Sequence, residues 1–497
     1  MTEPPAAESG VADLAVIGAG PAGLSAAVEA ADRGLSVVLV DSGDQTGGQY
    51  WRHPDERHLA SFPRAESTGH HHWRHYEHLR VQLRTAVAVG RVEYIPGRQV
   101  WRIDHEADAF VLRTAPVVGV DVLPPARRAV HASRIVLATG AYDRQLPVPG
   151  WTLPGVMAAG GVQALLKANQ VAAGRRAVVA GTGPFLLSVA AGLADAGVDV
   201  VAVCDANAVM RWAATPLRAL QEPGKLIEGM GYAAAFARHR IPLRTRTVVS
   251  EIRGEGRVSQ VVTGRVDGSG RIRPGSERTL DVDLVATGWG FTPQLELAVG
   301  LGLQTRLDVD SSLVAVADPD QRSSVPGVYL AGEVTGIGGA VQSCAEGRLA
   351  ALTAAADAGL PTAARSRARL RRRIARGRRF AVGMHAASPV PDQWSSWLTP
   401  ETVVCRCEEV RVDEVRSTVH SLAADDARDV RVTARPGMGI CQGRVCGFAL
   451  SCLVAAETGV PSEASDLASL ARRPIGTPLR IADLAELADT PTGRTQP

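Results

Sequence analysis

Apolar runs of strand length recur along the chain, and each ends on glycine or an acid. Asp13-Leu-Ala-Val-Ile-Gly18-Ala-Gly20-Pro-Ala-Gly23 opens with an unbroken apolar stretch and passes into Leu-Ser-Ala-Ala-Val-Glu-Ala-Ala. That pattern predicts a strand buried on both faces, a glycine turn and an Ala-rich helix. Leu35-Ser-Val-Val-Leu-Val-Asp41 then predicts a second strand ending in an acid. The pattern repeats downstream in Arg176-Ala-Val-Val-Ala-Gly181-Thr-Gly183-Pro-Phe-Leu186 and Val198-Asp-Val-Val-Ala-Val-Cys-Asp205. Ile135-Val-Leu-Ala-Thr139-Gly140 and Leu284-Val-Ala-Thr287-Gly288 both end in Ala-Thr-Gly. Val328-Tyr-Leu-Ala-Gly332-Glu333 ends in a glycine–acid pair, and Gly336-Ile-Gly-Gly-Ala340-Val-Gln leads into another helix.

The expected fold is therefore α/β, with two Rossmann-like units, the second inserted in the first. The boundaries expected are 1–150 and 285–356 for the first unit and 151–284 for the second. A basic linker follows over 357–400, and a small helical module with its tail over 401–497. The linker contains Ala364-Arg-Ser-Arg-Ala-Arg-Leu-Arg-Arg-Arg-Ile-Ala-Arg-Gly-Arg-Arg379. No aromatic residues are interleaved there for base stacking, so a solvated helix crossing between domains is expected rather than a nucleic-acid surface.

The glycine turns carry the first chemistry. In G-x-G-x-x-G after a strand, Gly18 makes the tight turn and Gly20 lets a pyrophosphate approach the backbone. Gly23 lets helix and strand pack closely. Asp41, 23 residues after Gly18, stands where a carboxylate accepts ribose hydroxyls. The second copy is degraded: Leu186 replaces the third glycine, Cys204 takes the acid's place and Asp205 comes one position late. A Leu there is expected to hold the helix off its strand and narrow the crevice. Gly181 and Gly183 are thus candidates for a second nucleotide such as NAD(P), or remnants kept as architecture.

Composition narrows the class. The chain has 497 residues, 45% hydrophobic and 21% charged, with net charge +3. That excludes disordered and fibrous classes and gives no sign of nucleic-acid binding. No apolar run reaches transmembrane length, and Met1-Thr-Glu-Pro-Pro lacks a signal-peptide pattern. The expected location is cytoplasmic, with membrane contact only through an electron acceptor. Cys204 and Cys344 stand alone, whereas Cys405, Cys407, Cys441, Cys446 and Cys452 fall together. Two close pairs, Cys405-Arg-Cys407 and Cys441-Gln-Gly-Arg-Val-Cys446, are a ligand set for an iron–sulfur cluster or for zinc. The run Gly437-Met-Gly439-Ile-Cys-Gln-Gly443 lets backbone amides point at sulfur, and Cys452 is expected to pack in a helix. His70-His-His-Trp-Arg-His75-Tyr-Glu-His78 is expected to be an exposed or partner-facing helix rather than a metal site. His53, after Gly47-Gly-Gln-Tyr-Trp-Arg52, is a better functional candidate than these histidines, and no catalytic acid or base can be named.

Gly18–Gly23, Asp41, Gly47-Gly48-Gln49, the two Ala-Thr-Gly strands and Gly332-Glu333 resemble two-dinucleotide-binding-domain FAD oxidoreductases of the pyridine nucleotide-disulfide oxidoreductase type, over residues 12–355. The resemblance implies FAD on Gly18, Gly20, Gly23, Asp41, Gly48, Gln49, Thr139, Gly140, Gly332, Glu333 and Ala340. Glu333 departs from the more usual Asp. The body has no redox Cys pair, which argues against disulfide reduction. Val404-Cys-Arg-Cys-Glu-Glu-Val and Gly-Met-Gly-Ile-Cys-Gln-Gly-Arg-Val-Cys-Gly resemble the bacterioferritin-associated-ferredoxin-like [2Fe–2S] domain, with a wider second pair. The resemblance makes Cys405, Cys407, Cys441 and Cys446 the ligands. The combination resembles the larger subunits of opine oxidases, hydrogen cyanide synthases and heteromeric proline or hydroxyproline dehydrogenases. It implies an electron-transferring subunit with a D-amino-acid-oxidase-like flavoprotein partner, a small ferredoxin-like partner and an amine substrate. A self-sufficient NAD(P)H-dependent reductase remains the alternative.

Overall fold

The computed structural model describes residues 10–106, 109–117, 127–208, 211 and 223–488; the N-terminal reading of Met1–Pro5 lies outside them. Two parallel sheets organise the body. The first has five strands in the order Val328–Leu330, Ile135–Leu137, Leu14–Ile17, Val37–Val40, Val92–Ile95. The strands Leu14–Ile17, Val37–Val40, Ile135–Leu137 and Val328–Leu330 are buried on every residue. That double-sided burial explains why they read as continuous apolar runs without alternation. Helices Pro21–Asp32, with proline in its first turn, and Ala340–Asp357 cover one face. They meet through small residues: a side chain at Gly347 would collide with the carbonyl of Ala22.

The second sheet has the order Leu243–Thr245, Asp199–Asp205, Arg176–Gly181, Leu284–Gly288, Val156–Ala158, all parallel. The Ala-Thr-Gly strand Leu284–Gly288 thus completes the second sheet, and the chain re-enters the first unit only after it. Antiparallel strands Ala141–Asp143 and Phe291–Pro293 join the two crossings. Each unit also carries a three-stranded antiparallel sheet, Arg98–Glu106 with Ala109–Pro116 and Ala129–Ala132, and Thr247–Arg253 with Gln260–Arg265 and Arg278–Asp281.

The Arg-rich segment is a 24-residue helix, Ala364–Ala387, packed on Ala340–Asp357. Leu370 and Ile374 bury against Leu349 and Leu352 while most of its arginines stay exposed. The chain then crosses the second unit and enters the C-terminal module, whose helices include Val412–Leu422, Ala427–Ala434 and Gly447–Thr458. Asp426 caps the second of these by accepting from the amides of Arg428 and Asp429. No described helix is long and apolar enough to cross a membrane.

Candidate dinucleotide and cysteine sites

The first glycine turn is as tight as the pattern requires. A side chain at Gly23 would collide with the carbonyl of Gly18, so glycine there lets the helix sit directly on the strand end. The loop Gly47–Gln49 folds back over this turn, and a Cβ on Gly48 would lie 2.8 Å from Gly20 Cα. Asp41, just past the strand Val37–Val40, is half-buried, and desolvation raises its carboxyl to about 6 against the amides of Ala19, Ser42 and Gly43. At the other end, Glu333 is half-buried and raised to about 6 by desolvation, with Arg378 opposing. Its two oxygens accept from the amides of Gly338 and Gly339, each at 3.0 Å. Helix Ala340–Asp357 starts immediately afterwards with no side-chain cap, so its first amides remain available to an electron-rich ligand atom. Gly140, with φ of +80°, faces open space.

These residues fit an FAD: two half-buried carboxyls for hydroxyls, a glycine turn for the pyrophosphate and an uncapped helix start. Two of the expected contacts are engaged differently. Thr139 donates its hydroxyl to the carbonyl of Gln294 at 2.8 Å, and Gln49 accepts from Arg52 at 3.0 Å.

His53 is a packing residue. It is 1% exposed, with Nδ1 2.6 Å from the Trp51 carbonyl oxygen and Nε2 3.2 Å from Glu56. Trp73 and Tyr76 enclose its ring. The other histidines divide: His70 turns inward onto Trp73, and burial lowers it to about 4. His71 meets Tyr232 at 3.1 Å and His72 meets Glu228. Among the described residues no three His, Cys, Asp or Glu side chains are arranged to hold a single metal ion.

The second turn is covered by the protein itself. Leu186 is 1% exposed and packs beside Gly288. Thr182 donates its hydroxyl to the carbonyl of Ser388 at 2.6 Å, and the Asn207 amide donates to the carbonyl of Pro389 at 3.0 Å. Gly183 faces Ser388 as well. The segment after the Arg-rich helix therefore crosses the mouth of the turn formed by Gly181 and Gly183. Cys204 is buried inside its strand, and Asp205 accepts from the amide of Asn207. No local pattern announces this crossing, because its partners lie about 200 positions apart in the chain.

The four paired cysteines meet. The thiol of Cys446 bonds to both Cys405 and Cys441, and Cys407 bonds to Cys441. Sharing these protons pulls Cys405 and Cys441 below the ordinary thiol range and pushes Cys446 far above it. Backbone amides reinforce the anionic form: Gly437 N donates to Cys405 Sγ at 3.4 Å, and the Gly443 and Val445 amides face Cys441. Glycine is demanded at position 439, where any side chain would strike Cys407 Cβ. Thiols gathered under backbone amides are the donor chemistry of a metal or iron–sulfur ligand set, although among the described residues no three of them are arranged around one metal ion. Cys452 lies in helix Gly447–Thr458, half-buried and packed against the hydrophobic core.

This cysteine loop is docked on the first unit. Arg444, between Cys441 and Cys446, lies 2.8 Å from Glu296 and donates to the Tyr142 hydroxyl at 2.7 Å. Tyr142 is two residues beyond Gly140. Arg144 stacks on Phe448 at 4.0 Å, and Trp151 Nε1 donates to Val403 O at 2.6 Å.

The family model for pyridine nucleotide-disulphide oxidoreductases matches residues 12–359. The chain belongs to this family. It is 34% identical to one of the subunits of opine oxidase from Agrobacterium tumefaciens (strain Ach5), over 93% of this chain and 89% of the relative. It is 31% identical to the HcnB subunit of hydrogen cyanide synthase from Pseudomonas aeruginosa, over 87% and 90% of the two. The fold extends across a solved L-proline dehydrogenase from P. horikoshii, with TM-score 0.64 and 18% identity over 96% of this chain and 79% of that one. The oxidoreductase is FAD-dependent, and its relatives are subunits of multi-subunit enzymes.

Proposed function

We propose that the chain is the electron-transferring subunit of a heteromeric amine or amino-acid dehydrogenase, holding FAD on the first glycine turn and a [2Fe–2S] cluster on Cys405, Cys407, Cys441 and Cys446. The observation that carries this reading is the crossing of Ser388 and Pro389 over the second turn. A reductase fed by NAD(P)H needs that turn open to a pyrophosphate; here Thr182 and Asn207 donate instead to the chain's own carbonyls. The opine, proline, hydroxyproline or glycine class of substrate, the D-amino-acid-oxidase-like partner and the small ferredoxin-like partner are what the motif resemblance implies; the relatives' names support an amine-oxidising, multi-subunit setting.

Bound FAD supplies two-electron acceptance, and a [2Fe–2S] cluster supplies one-electron transfer. The chain's own residues do the holding. Asp41 and Glu333 offer half-buried acceptors at the two ends of the flavin site. The uncapped amides at Ala340 offer donors. Arg444 pins the cysteine loop to Glu296 and Tyr142, beside the Thr139–Gly140 turn.

The purified, FAD-loaded chain is expected to stay oxidised with NADH or NADPH. It is expected to be reduced by an amino acid only when partner subunits are present. Dithionite reduction is expected to give an S = 1/2 EPR signal that Cys405→Ser abolishes. Rapid flavin bleaching by NADH alone would overturn the reading in favour of a self-sufficient reductase.

A further inference from the structure

The family match ends at residue 359. The helix that follows, Ala364–Ala387, nevertheless reaches back into the flavin site. Most of its arginines face solvent, but Arg378 turns inward. Its guanidinium holds Glu346 at 2.9 Å, the two side chains being 24% and 1% exposed. It also donates to the Thr335 hydroxyl and to the Gly336 carbonyl. Further along the same helix, His385 contacts the Ile337 carbonyl at 3.1 Å. One helix thus grips three consecutive residues, 335–337, directly behind the Gly332–Glu333 pair.

Glu346 passes that grip to the pair itself. One carboxylate oxygen accepts from Arg378 and, at 2.8 Å, from Gln342 Nε2. The other accepts the Gly332 amide at 2.8 Å and faces the Thr335 hydroxyl at 3.1 Å. Gly332 in turn leans on the helix of the first glycine turn: its φ is +82°, and a Cβ there would lie 3.0 Å from Ala22 Cβ. Gly377 lets the Arg-rich helix come this close, because a side chain on it would strike the Gln342 amide.

Arg378 also sits between two carboxylates. It is the cation that acts most strongly on Glu333, lowering it, while Glu346 raises it. The other charged groups around the turn are already engaged. Asp308, beside Gly336, pairs with Arg306 at 2.9 Å. Asp310, 3.9 Å from His385, pairs with Arg144 at 2.9 Å.

We propose that Arg378 is a positioning residue of the flavin site. It seats Glu346 on the Gly332 amide, fixes the turn Gly332–Thr335 and keeps Glu333 charged as an acceptor for FAD. The Arg-rich helix is thereby part of the cofactor site as well as a crossing between domains. The proposal rests on FAD binding by the family and needs neither the cluster nor a partner subunit.

FAD dissociation from the full chain, followed by flavin fluorescence against pH, tests it with two variants. Arg378→Gln keeps an amide donor but removes the charge. It is expected to weaken FAD binding about tenfold at neutral pH. It is also expected to move the onset of FAD loss on acidification upward by about one pH unit. The direction follows from Glu333: without the cation its carboxyl protonates at higher pH, so FAD leaves earlier as pH falls. Asp41, raised to about 6, titrates in the same range, but the group that protonates first sets the onset. Arg378→Lys restores the charge without the fork; its onset is expected to match the parent's while its affinity stays reduced. Arg372→Ala, at an exposed position of the same helix, is expected to match the parent in both. An Arg378→Gln onset equal to the parent's would overturn the proposal, because a mere brace weakens binding without moving the onset. If that variant folds poorly, Arg378→Lys decides alone: a displaced onset, or affinity equal to the parent's, overturns the proposal. A parent that binds no added FAD would refute the family reading and the proposal with it.

Discussion

Replacing Arg444 with methionine is expected to loosen the cysteine loop from the flavin-binding unit. The substitution keeps a chain of similar length and apolar stem but removes every donor. Glu296 and the Tyr142 hydroxyl then lose partners at 2.8 and 2.7 Å. The side chains of Arg444 and Glu296 are only 12% and 14% exposed, so water replaces the lost contacts poorly. Breaking one half of such a buried pair costs about 3–5 kcal/mol. The lower end applies, because Arg473 lies close enough to interact with the charge of Glu296. A loss of about 3 kcal/mol corresponds to local opening roughly a hundredfold more frequent, at about 1.4 kcal/mol per tenfold. Amide hydrogen exchange between Cys441 and Gly447 reads that opening directly. Adding Glu296→Leu removes the stranded carboxylate, and the double variant is expected to recover most of the protection. The reasoning fails if Arg444→Met exchanges within about threefold of the parent, or if the double variant exchanges faster than the single one.

In the FAD-free chain, burial raises Asp41 from 3.8 and Glu333 from 4.5, each to about 6. Between those ordinary values and 6 the folded chain holds more protons than the unfolded one, so its stability falls as pH rises through that window. FAD needs the ionised acceptors, so its retention is expected to weaken as pH drops through about 6, read by fluorescence of released flavin; an Asp41→Asn variant with an unchanged pH profile would refute this. Gly439→Ala is expected to strip iron while leaving bound flavin, because the new methyl strikes Cys407 Cβ. Gly447→Ala, with nothing within 4 Å of its Cβ, should retain both; metal analysis and visible spectra compare the pair. Gly347→Ala, forcing its helix off the Ala22 carbonyl, is expected to cost about 1–3 kcal/mol and to lower the melting midpoint by several degrees; an unshifted midpoint would show that the two helices do not press together there.

The parallel sheets were legible because their strands are buried on both faces, so each apolar run and its terminal glycine or acid appear without interruption. The first turn was legible for the same local reason: Gly18, Gly20, Gly23 and Asp41 lie on one strand–helix–strand unit. The two cysteine pairs also stood out, since their spacing and flanking glycines are local; the cluster on them is what we propose. What was not legible was set by distance along the chain. Ser388 and Pro389 carry no mark of the turn they cover, because they use only main-chain carbonyls, which every residue has. Arg444 shows as one arginine among many until Tyr142 and Glu296 are brought to it. His53 misleads in the opposite direction: its place after the Gly47–Gln49 loop suggests chemistry, whereas its two ring nitrogens are taken up by Trp51 and Glu56. The boundary strand Leu284–Gly288 was ambiguous because an Ala-Thr-Gly ending suits either sheet, and only the pairing with Arg176–Gly181 and Val156–Ala158 assigns it.

The segment after the Arg-rich helix is stitched to everything it passes. His385 reaches the Ile337 carbonyl at 3.1 Å, Thr182 and Asn207 hold Ser388 and Pro389, and Trp397 Nε1 donates to Gly270 O at 2.8 Å. A hinge between the two nucleotide units would have to tear these stitches on every swing. The molecule is therefore braced like a truss, and on the proposed function the distance from flavin to cysteine loop is set at folding. Any electron transfer between the two sites should then ignore solvent viscosity, whereas encounter with a partner protein should not.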